Sequence, residues 1–219
     1  MHLPLEEGHR PRVLFAIELL DSVTLSRVSD GMQVVAEGLS GKPLVNAGGC
    51  FVWLEEDITP LQRIVIDPGA LPFERVERSA AEVQLPLTSI ELSPRVDYAF
   101  PSGITALRGT LIEENVTPPD TPVPIGDAEV HLQWLDDGKW QDAPTVSHTA
   151  WDTGDFAAVL RLKPTQMPLL GANGTLSARL RIRRATEERG SLDLELVPGR
   201  VRDPSASNPL VFAWDELQP

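Results

Sequence analysis

The strongest constraint on this chain is that it repeats itself. Residues Asp30–Ala36 (DGMQVVA) lead to the stretch 42–54 (KPLVNAGGCFVWL), and Gly126–Leu135 (GDAEVHLQWL) lead to 147–160 (SHTAWDTGDFAAVL). Each copy passes from an alternation of polar and apolar residues to an Asn/Asp-x-Gly turn. A second apolar run, opening on an aromatic residue, follows. Alternation with period two belongs to a half-buried strand, whose successive side chains point to opposite faces of a sheet. The repeat therefore predicts two small all-β units in tandem, and neither copy carries a catalytic signature.

A length of 219 residues accommodates one large domain or two of about 100 residues each. Twenty prolines and sixteen glycines lie between apolar runs rather than in one block, as short strands separated by turns require. The expected organisation is an N-terminal arm over 1–11, a first β-sandwich over 12–92, a linker over 93–103, a second β-sandwich over 104–202 and a C-terminal tail over 203–219. In the first sandwich the expected strands are 13–19, 33–36, 51–54 and 63–67. More strand is expected within 73–85, where Pro86 interrupts it, and Ser79 to Val83 is the best candidate for one short helix. In the second, strands are expected at 107–112, 129–134, 156–162, 176–182 and 192–196, with a turn at Glu187-Glu188-Arg189-Gly190. Leu135-Asp136-Asp137-Gly138-Lys139-Trp140 is the clearest hairpin, because Asp-Gly tolerates the positive φ of a two-residue turn.

Charge narrows the partners. Thirty-two acidic against nineteen basic residues give a formal net charge of −13, which argues against nucleic acid or an anionic membrane as the main partner. The blander reading, an acidic surface that keeps the protein in solution, is favoured. Cys50 is the only cysteine, so no intramolecular disulfide forms, and a small buried thiol is its default role. Residues 1–8 are acidic without a basic n-region, and no apolar run approaches the roughly 20 residues of a membrane span. A cytoplasmic location, or incorporation into a particle assembled there, is expected.

Ala106-Leu107-Arg108-Gly109-Thr110-Leu111, the Pro-containing loop to Val123-Pro124, Asp127-Ala128-Glu129-Val130 and the stretch from Thr149 to Phe156 together resemble the carboxypeptidase regulatory-like, transthyretin-type β-sandwich. In that family a Gly-bearing strand leads through a loop to an Ala-x-Val strand, and a Thr, a Gly turn and an aromatic open the next. The resemblance covers roughly residues 100–200, and 30–66 looks like a more divergent copy that lacks the Gly in its first strand. It implies an immunoglobulin-like fold of two antiparallel sandwiches and says little of activity, because such modules serve as accessory and interaction domains in unrelated proteins.

Candidate chemistry is sparse. His2, His9, His131 and His148 lack metal-ligand spacing, and no nucleophile elbow or phosphate-cradling loop occurs. The acid groups Glu55-Glu56-Asp57, Glu113-Glu114, Asp136-Asp137 and Asp152 with Asp155 read as solvated turns, since acid–base work needs carboxylates in divergent environments. Calcium at Asp152-Thr153-Gly154-Asp155 is a minor alternative with an incomplete ligand set. Asn115-Val116-Thr117 and Asn173-Gly174-Thr175 match glycosylation acceptors, read as coincidence without an export signal. No catalytic residue, metal site or cofactor is expected.

Trp53 shares phase with Phe51 and is assigned to the core. Trp140 and Trp151 sit near turns, where plain packing competes with a protein-contact anchor or a sugar platform. Leu210, Val211, Phe212 and Trp214 form an apolar segment that either completes the second sandwich or leaves it to pair with a neighbouring subunit. The favoured expectation is a non-enzymatic structural or adaptor protein whose partners are other subunits of a larger assembly. Whether copies of the chain itself are among them stays open. Such domains resemble, at the level of fold, parts of phage tails and contractile injection machines, hence a virion-type component. A carbohydrate- or peptide-binding accessory module is the alternative; a hydrolase, needing acids collected from both units, is the least supported.

Overall fold

In β1 (Phe15–Asp21) every second side chain is buried, Phe15, Ile17 and Leu19 among them, so the alternation in the sequence is the alternation of the sheet. The computed structural model describes residues 13–54, 60–116, 121–162, 166, 168–205 and 207–219. The chain is all-β. Two one-turn 3-10 segments, Ala80–Glu82 and Trp214–Glu216, are the helical elements among the described residues. The first lies within the expected Ser79–Val83, where Glu82 accepts hydrogen bonds from the Ser79 backbone N–H and hydroxyl at 2.8 and 2.7 Å, the reciprocal cap that starts a helix.

Two compact units are present. The second comprises Ser93–Pro219 together with Ser22–Thr24 and Pro72–Glu74, and the rest of the chain up to Leu92 forms the first. The first unit contains β1, β2 (Gln33–Glu37), β3 (Leu44–Val45), β4 (Phe51–Trp53), β5 (Arg63–Asp67), β6 (Val76–Ser79) and β7 (Leu87–Leu92). One sheet runs β3-β4-β1-β7, with β1 antiparallel to β4 and parallel to β7. The other runs β2-β5-β6, all antiparallel. Phe15 and Trp53 stack within the first sheet, ring centroids 4.6 Å apart and 3° from parallel. That pair is worth about 0.5–1.5 kcal/mol beyond the area it buries. Val34, Ala36, Ile64 and Ile66 supply the buried side of the second sheet.

The second unit contains β8 (Thr105–Ile112), β9 (Glu129–Asp136), β10 (Lys139–His148), β11 (Asp155–Leu160), β12 (Leu176–Arg184), β13 (Glu187–Gly190), β14 (Leu194–Leu196), β15 (Val201–Arg202) and β16 (Val211–Ala213). One sheet runs β10-β9-β12-β13, with β14 also on β12. The other runs β11-β8-β15, with β16 also on β8. Leu107 and Leu111 of β8, Phe156 and Ala158 of β11, Val130, Leu132 and Trp134 of β9, and Ala178, Leu180 and Ile182 of β12 meet in one core. Fully burying a side chain of the Leu or Phe class contributes about 1.5–3 kcal/mol, so this core outweighs any single surface contact.

The units share one connectivity. β1 and β8 are each antiparallel to a middle strand, β4 or β11, and parallel to a late one, β7 or β15 and β16. β2-β5-β6 and β9-β12-β13 are likewise corresponding antiparallel runs. The repeated residues fall on equivalent strands, β2 with β9 and β4 with β11.

Several local expectations change. Glu187–Gly190 is not a turn but β13, paired with β12 from Arg184↔Glu187 onward; the reversal is Ala185-Thr186, with Ala185 at φ 51°. Nothing in an Ala-Thr pair advertises a positive φ, whereas Glu-Glu-Arg-Gly advertises polarity and a glycine. Strand in the 73–85 stretch is confined to Val76–Ser79, and Pro86 precedes the further strand β7. Residues 93–103 are tied into the second unit: Ser93 donates its hydroxyl to the Val146 carbonyl at 2.7 Å, and buried Tyr98 packs on Phe73 and Phe100. The Asp137-Gly138 hairpin forms as expected, with φ 46° and 74° and Asp136 paired to Lys139. The 1–11 arm lies outside the described residues.

Candidate functional site

The tryptophans divide by environment. Trp53 and Trp134 are fully enclosed. Trp140 on β10 is covered on one face by the Arg179 guanidinium, 4.5 Å from the ring centroid. Trp214 is buried, with Arg189 over its ring at 4.8 Å and donating to the Trp214 carbonyl at 2.7 Å. Trp151 alone among them stands out, at 78% exposure.

Its turn is firmly mounted. The Gly154 N–H donates to the Ala150 carbonyl at 2.9 Å, the Ala150 N–H to Asp155 at 2.7 Å, and the Thr149 N–H to Ala128 at 3.0 Å. Thr149 Oγ1 accepts from the Ala128 N–H at 3.0 Å. Gly126 comes so close that a Cβ there would sit 2.4 Å from the Trp151 Cα, a separation only glycine allows. An exposed indole on a braced turn has already given up the freedom that ordering it at an interface would remove.

The surroundings are acidic. Asp152 follows Trp151 in the chain, and Asp127 donates its N–H to the Thr149 carbonyl at 3.1 Å. Burial pushes the half-buried Glu74 carboxyl up from 4.5; Arg95 opposes this, while the charges of Asp97, Asp127 and Asp152 add to it. Asp155 is committed elsewhere, accepting from the Thr110 hydroxyl at 2.7 Å. Among the described residues no group of three or more His, Cys, Asp or Glu side chains is arranged to hold a metal ion. His131 is pushed below 6.5, by burial first and by the Arg181 charge second; Glu129 lies 3.7 Å away. Glu113 forms a two-pronged pair with Arg184 at 2.8 and 2.6 Å. Cys50 is buried beside the Asn46 turn, whose side-chain oxygen accepts from the Gly48 and Cys50 N–H groups at 2.9 and 3.0 Å. Glu55, Glu56, Asp57, His2 and His9 lie outside the described residues.

The C-terminal segment is an internal strand. β16 runs parallel to β8 with Val211↔Thr110, Phe212↔Leu111 and Ala213↔Ile112. Leu210 and Trp214 belong to the core of the second unit, and Phe212 packs against it, 5.9 Å from Phe156. Gly109 makes this approach feasible, since a Cβ there would lie 2.9 Å from the Leu210 carbonyl and from both phenyl rings. Of the six expected interaction residues, the structure buries Leu210 and Trp214, half-covers Phe212 and Trp140, and leaves Trp151 and Val211 exposed. The covering of Trp140 depends on Arg179, nearly forty residues along the chain, and no local motif announces it.

No family model, curated protein or solved structure matches this chain. No helix among the described residues is long and apolar enough to cross a membrane.

Proposed function

We propose that this chain is a non-enzymatic structural or adaptor protein, docking through sandwich surfaces into a larger assembly of the phage-tail or contractile-injection type. Trp151 carries the reading: a large amphipathic side chain left 78% exposed on a braced turn is the kind of residue that dominates interface energetics. Its carboxylate surroundings favour a partner that brings lysine or arginine to the indole face. The exposed Val211 on β16 gives the terminal segment a smaller share of the docking surface. The common connectivity of the two units supports two copies of one transthyretin-type module, carboxypeptidase regulatory-like in its second copy.

The carbohydrate-binding alternative also rests on Trp151, but a sugar platform wants an aromatic row, and Arg179 occupies the face of Trp140. The test is gentle isolation from native cells, with sedimentation and mass spectrometry of co-purifying chains, for wild type and Trp151→Ala. Wild type is expected in a particle far heavier than one chain, and the variant is expected to be released as a folded protein. A lone wild-type monomer would overturn the reading and turn attention to glycan screens.

A further inference from the structure

The two units differ in several strands, and one of these differences leaves a sheet edge open. In the second, β9 carries β10 on its outer side, in register from Lys139↔Asp136 to His148↔Glu129 around a bulge. β10 sends Ala143, Thr145 and Ser147 inward. The Ser147 hydroxyl donates to the Ala157 carbonyl of β11 at 2.5 Å, closing that end of the sandwich. In the first unit β2 stands where β9 stands, yet it ends its sheet, and no described strand pairs with its outer side. In chain order β3 stands between β2 and β4 as β10 stands between β9 and β11, but it pairs with β4 and leaves the outer side of β2 without a strand.

A cleft of about 570 Å³ lies along β2, lined by Met32, Val34 and Ala36 on one side, by Val45 and Phe51 on the other, and by the 39–43 loop, Lys42 included. Its rim mixes Val35 and Val45, each 52% exposed, with Gln33 and Lys42. β2 reads Gln-Val-Val-Ala-Glu, without the lysine, proline or bulge that ordinarily blunts a sheet edge. The edge of the other sheet at β7 is different in kind, since the corresponding edge recurs in the second unit beyond β15 and β16.

Charge states what the missing strand carries. Across β2, β5 and β6 the polar face forms an alternating ladder: Glu37 to Arg63 at 2.6 Å, Arg63 to Glu77 at 2.8 Å, and Glu77 to Arg75 at 2.8 Å. The ladder ends at the open edge on Glu37, an anion. In the second unit such a network runs on into β10, where Asp142 accepts from Arg181 at 2.9 Å and from Gln133 at 2.7 Å. A residue directly opposite Glu37 on an added strand would be its nearest cross-strand neighbour, and opposite charges there are favourable while like charges are not.

We propose that the outer edge of β2 accepts an antiparallel strand from a partner protein, alternating apolar residues that fill the cleft with basic residues that face Glu37. Main-chain hydrogen bonds supply the attraction and the cleft sets the register, as in other strand-addition complexes. No residue of this edge belongs to the Trp151 turn, and the inference does not rest on that turn.

The probe is a short blocked peptide in which valine and lysine alternate, with a valine–glutamate counterpart. Amide exchange and chemical shifts of the full chain are followed by NMR. The valine–lysine peptide is expected to shift and protect Gln33–Glu37 and the cleft residues, binding about threefold or more tightly than its acidic counterpart. Glu37→Lys is expected to reverse that order, and Trp151→Ala to leave it unchanged. Val35→Pro, checked for folding by circular dichroism, is expected to abolish binding; should it fail to fold, the Glu37→Lys reversal decides. Perturbation elsewhere, no perturbation of β2, or binding indifferent to peptide charge would overturn the proposal. A chain that pairs through β2 with a second copy of itself, losing the dimer on Glu37→Lys, would also overturn it.

Discussion

Gly126 and Trp151 show how a single missing carbon governs the candidate surface. Gly126→Ala would drive a methyl group into the Trp151 backbone, and the forced shift is expected to cost about 1–3 kcal/mol in urea unfolding. Trp151→Ala removes an exposed ring and is expected to change stability by no more than about 0.5 kcal/mol while releasing the partner. Two carboxylates make opposite predictions for pH. The Glu74 pKa is raised in the fold, so its stabilisation is present below pH 4.5 and lost as pH rises through the folded value. Glu74→Gln is therefore expected to melt higher than wild type at pH 7, with the difference closing in acid. Glu18 is held below 4.5 by hydrogen bonds from Arg27 and Ser89 and by the Arg27 charge. Its contribution is present above pH 4.5 and lost as pH falls through the lowered value. Glu18→Gln is expected to lose about 1 kcal/mol at pH 7 and less in acid, measured by thermal melts across that range.

Among the elements, β16 is where the structure decides between two open readings. An apolar pentad after an irregular stretch reads first as a strand that completes the second sandwich, with a docking arm as the alternative, because hydrophobicity does not say whose core is being filled. Packing resolves it: β16 pairs with β8, and Leu210, Trp214 and Leu217 are part of the core. Deleting Leu210 to Pro219 is therefore expected to unfold the second unit, seen as loss of its dispersed NMR signals. A folded truncated protein would show instead that β8 and β11 suffice. β9 and the Asp137-Gly138 hairpin were legible because alternation and turn chemistry are local. β13 and the Ala185 reversal were not, because their turn depends on the pairing around it rather than on its own residues.

For the whole molecule, the tandem all-β character is visible in the repeat, and the equivalence of β2 with β9 and β4 with β11 gives that repeat a structural meaning. The candidate surface was only half visible. Trp151 is near a turn in the sequence and exposed in the structure, but Trp140, equally near a turn, is covered by Arg179. A net charge of −13 makes attraction for a basic partner long-ranged only at low salt, since the screening length is about 10 Å at 0.1 M. Raising salt from about 0.05 M to about 0.5 M is expected to slow capture of such a partner more than it weakens the finished complex. Stopped-flow tryptophan fluorescence would separate the two effects.

The parallel seam between β8 and β16 also has a bearing on synthesis. Thr110 and Val211 are neighbours in the sheet but lie about a hundred residues apart along the chain, and contacts of such separation form late. β7 closes the seam of the first unit by residue 92, so that unit can complete itself while the ribosome is still translating. The second keeps the Thr110–Ile112 end of β8 uncovered on that side until residues 211–213 emerge. That interval is when a chaperone, or another nascent copy offering its own β16, has access to the seam.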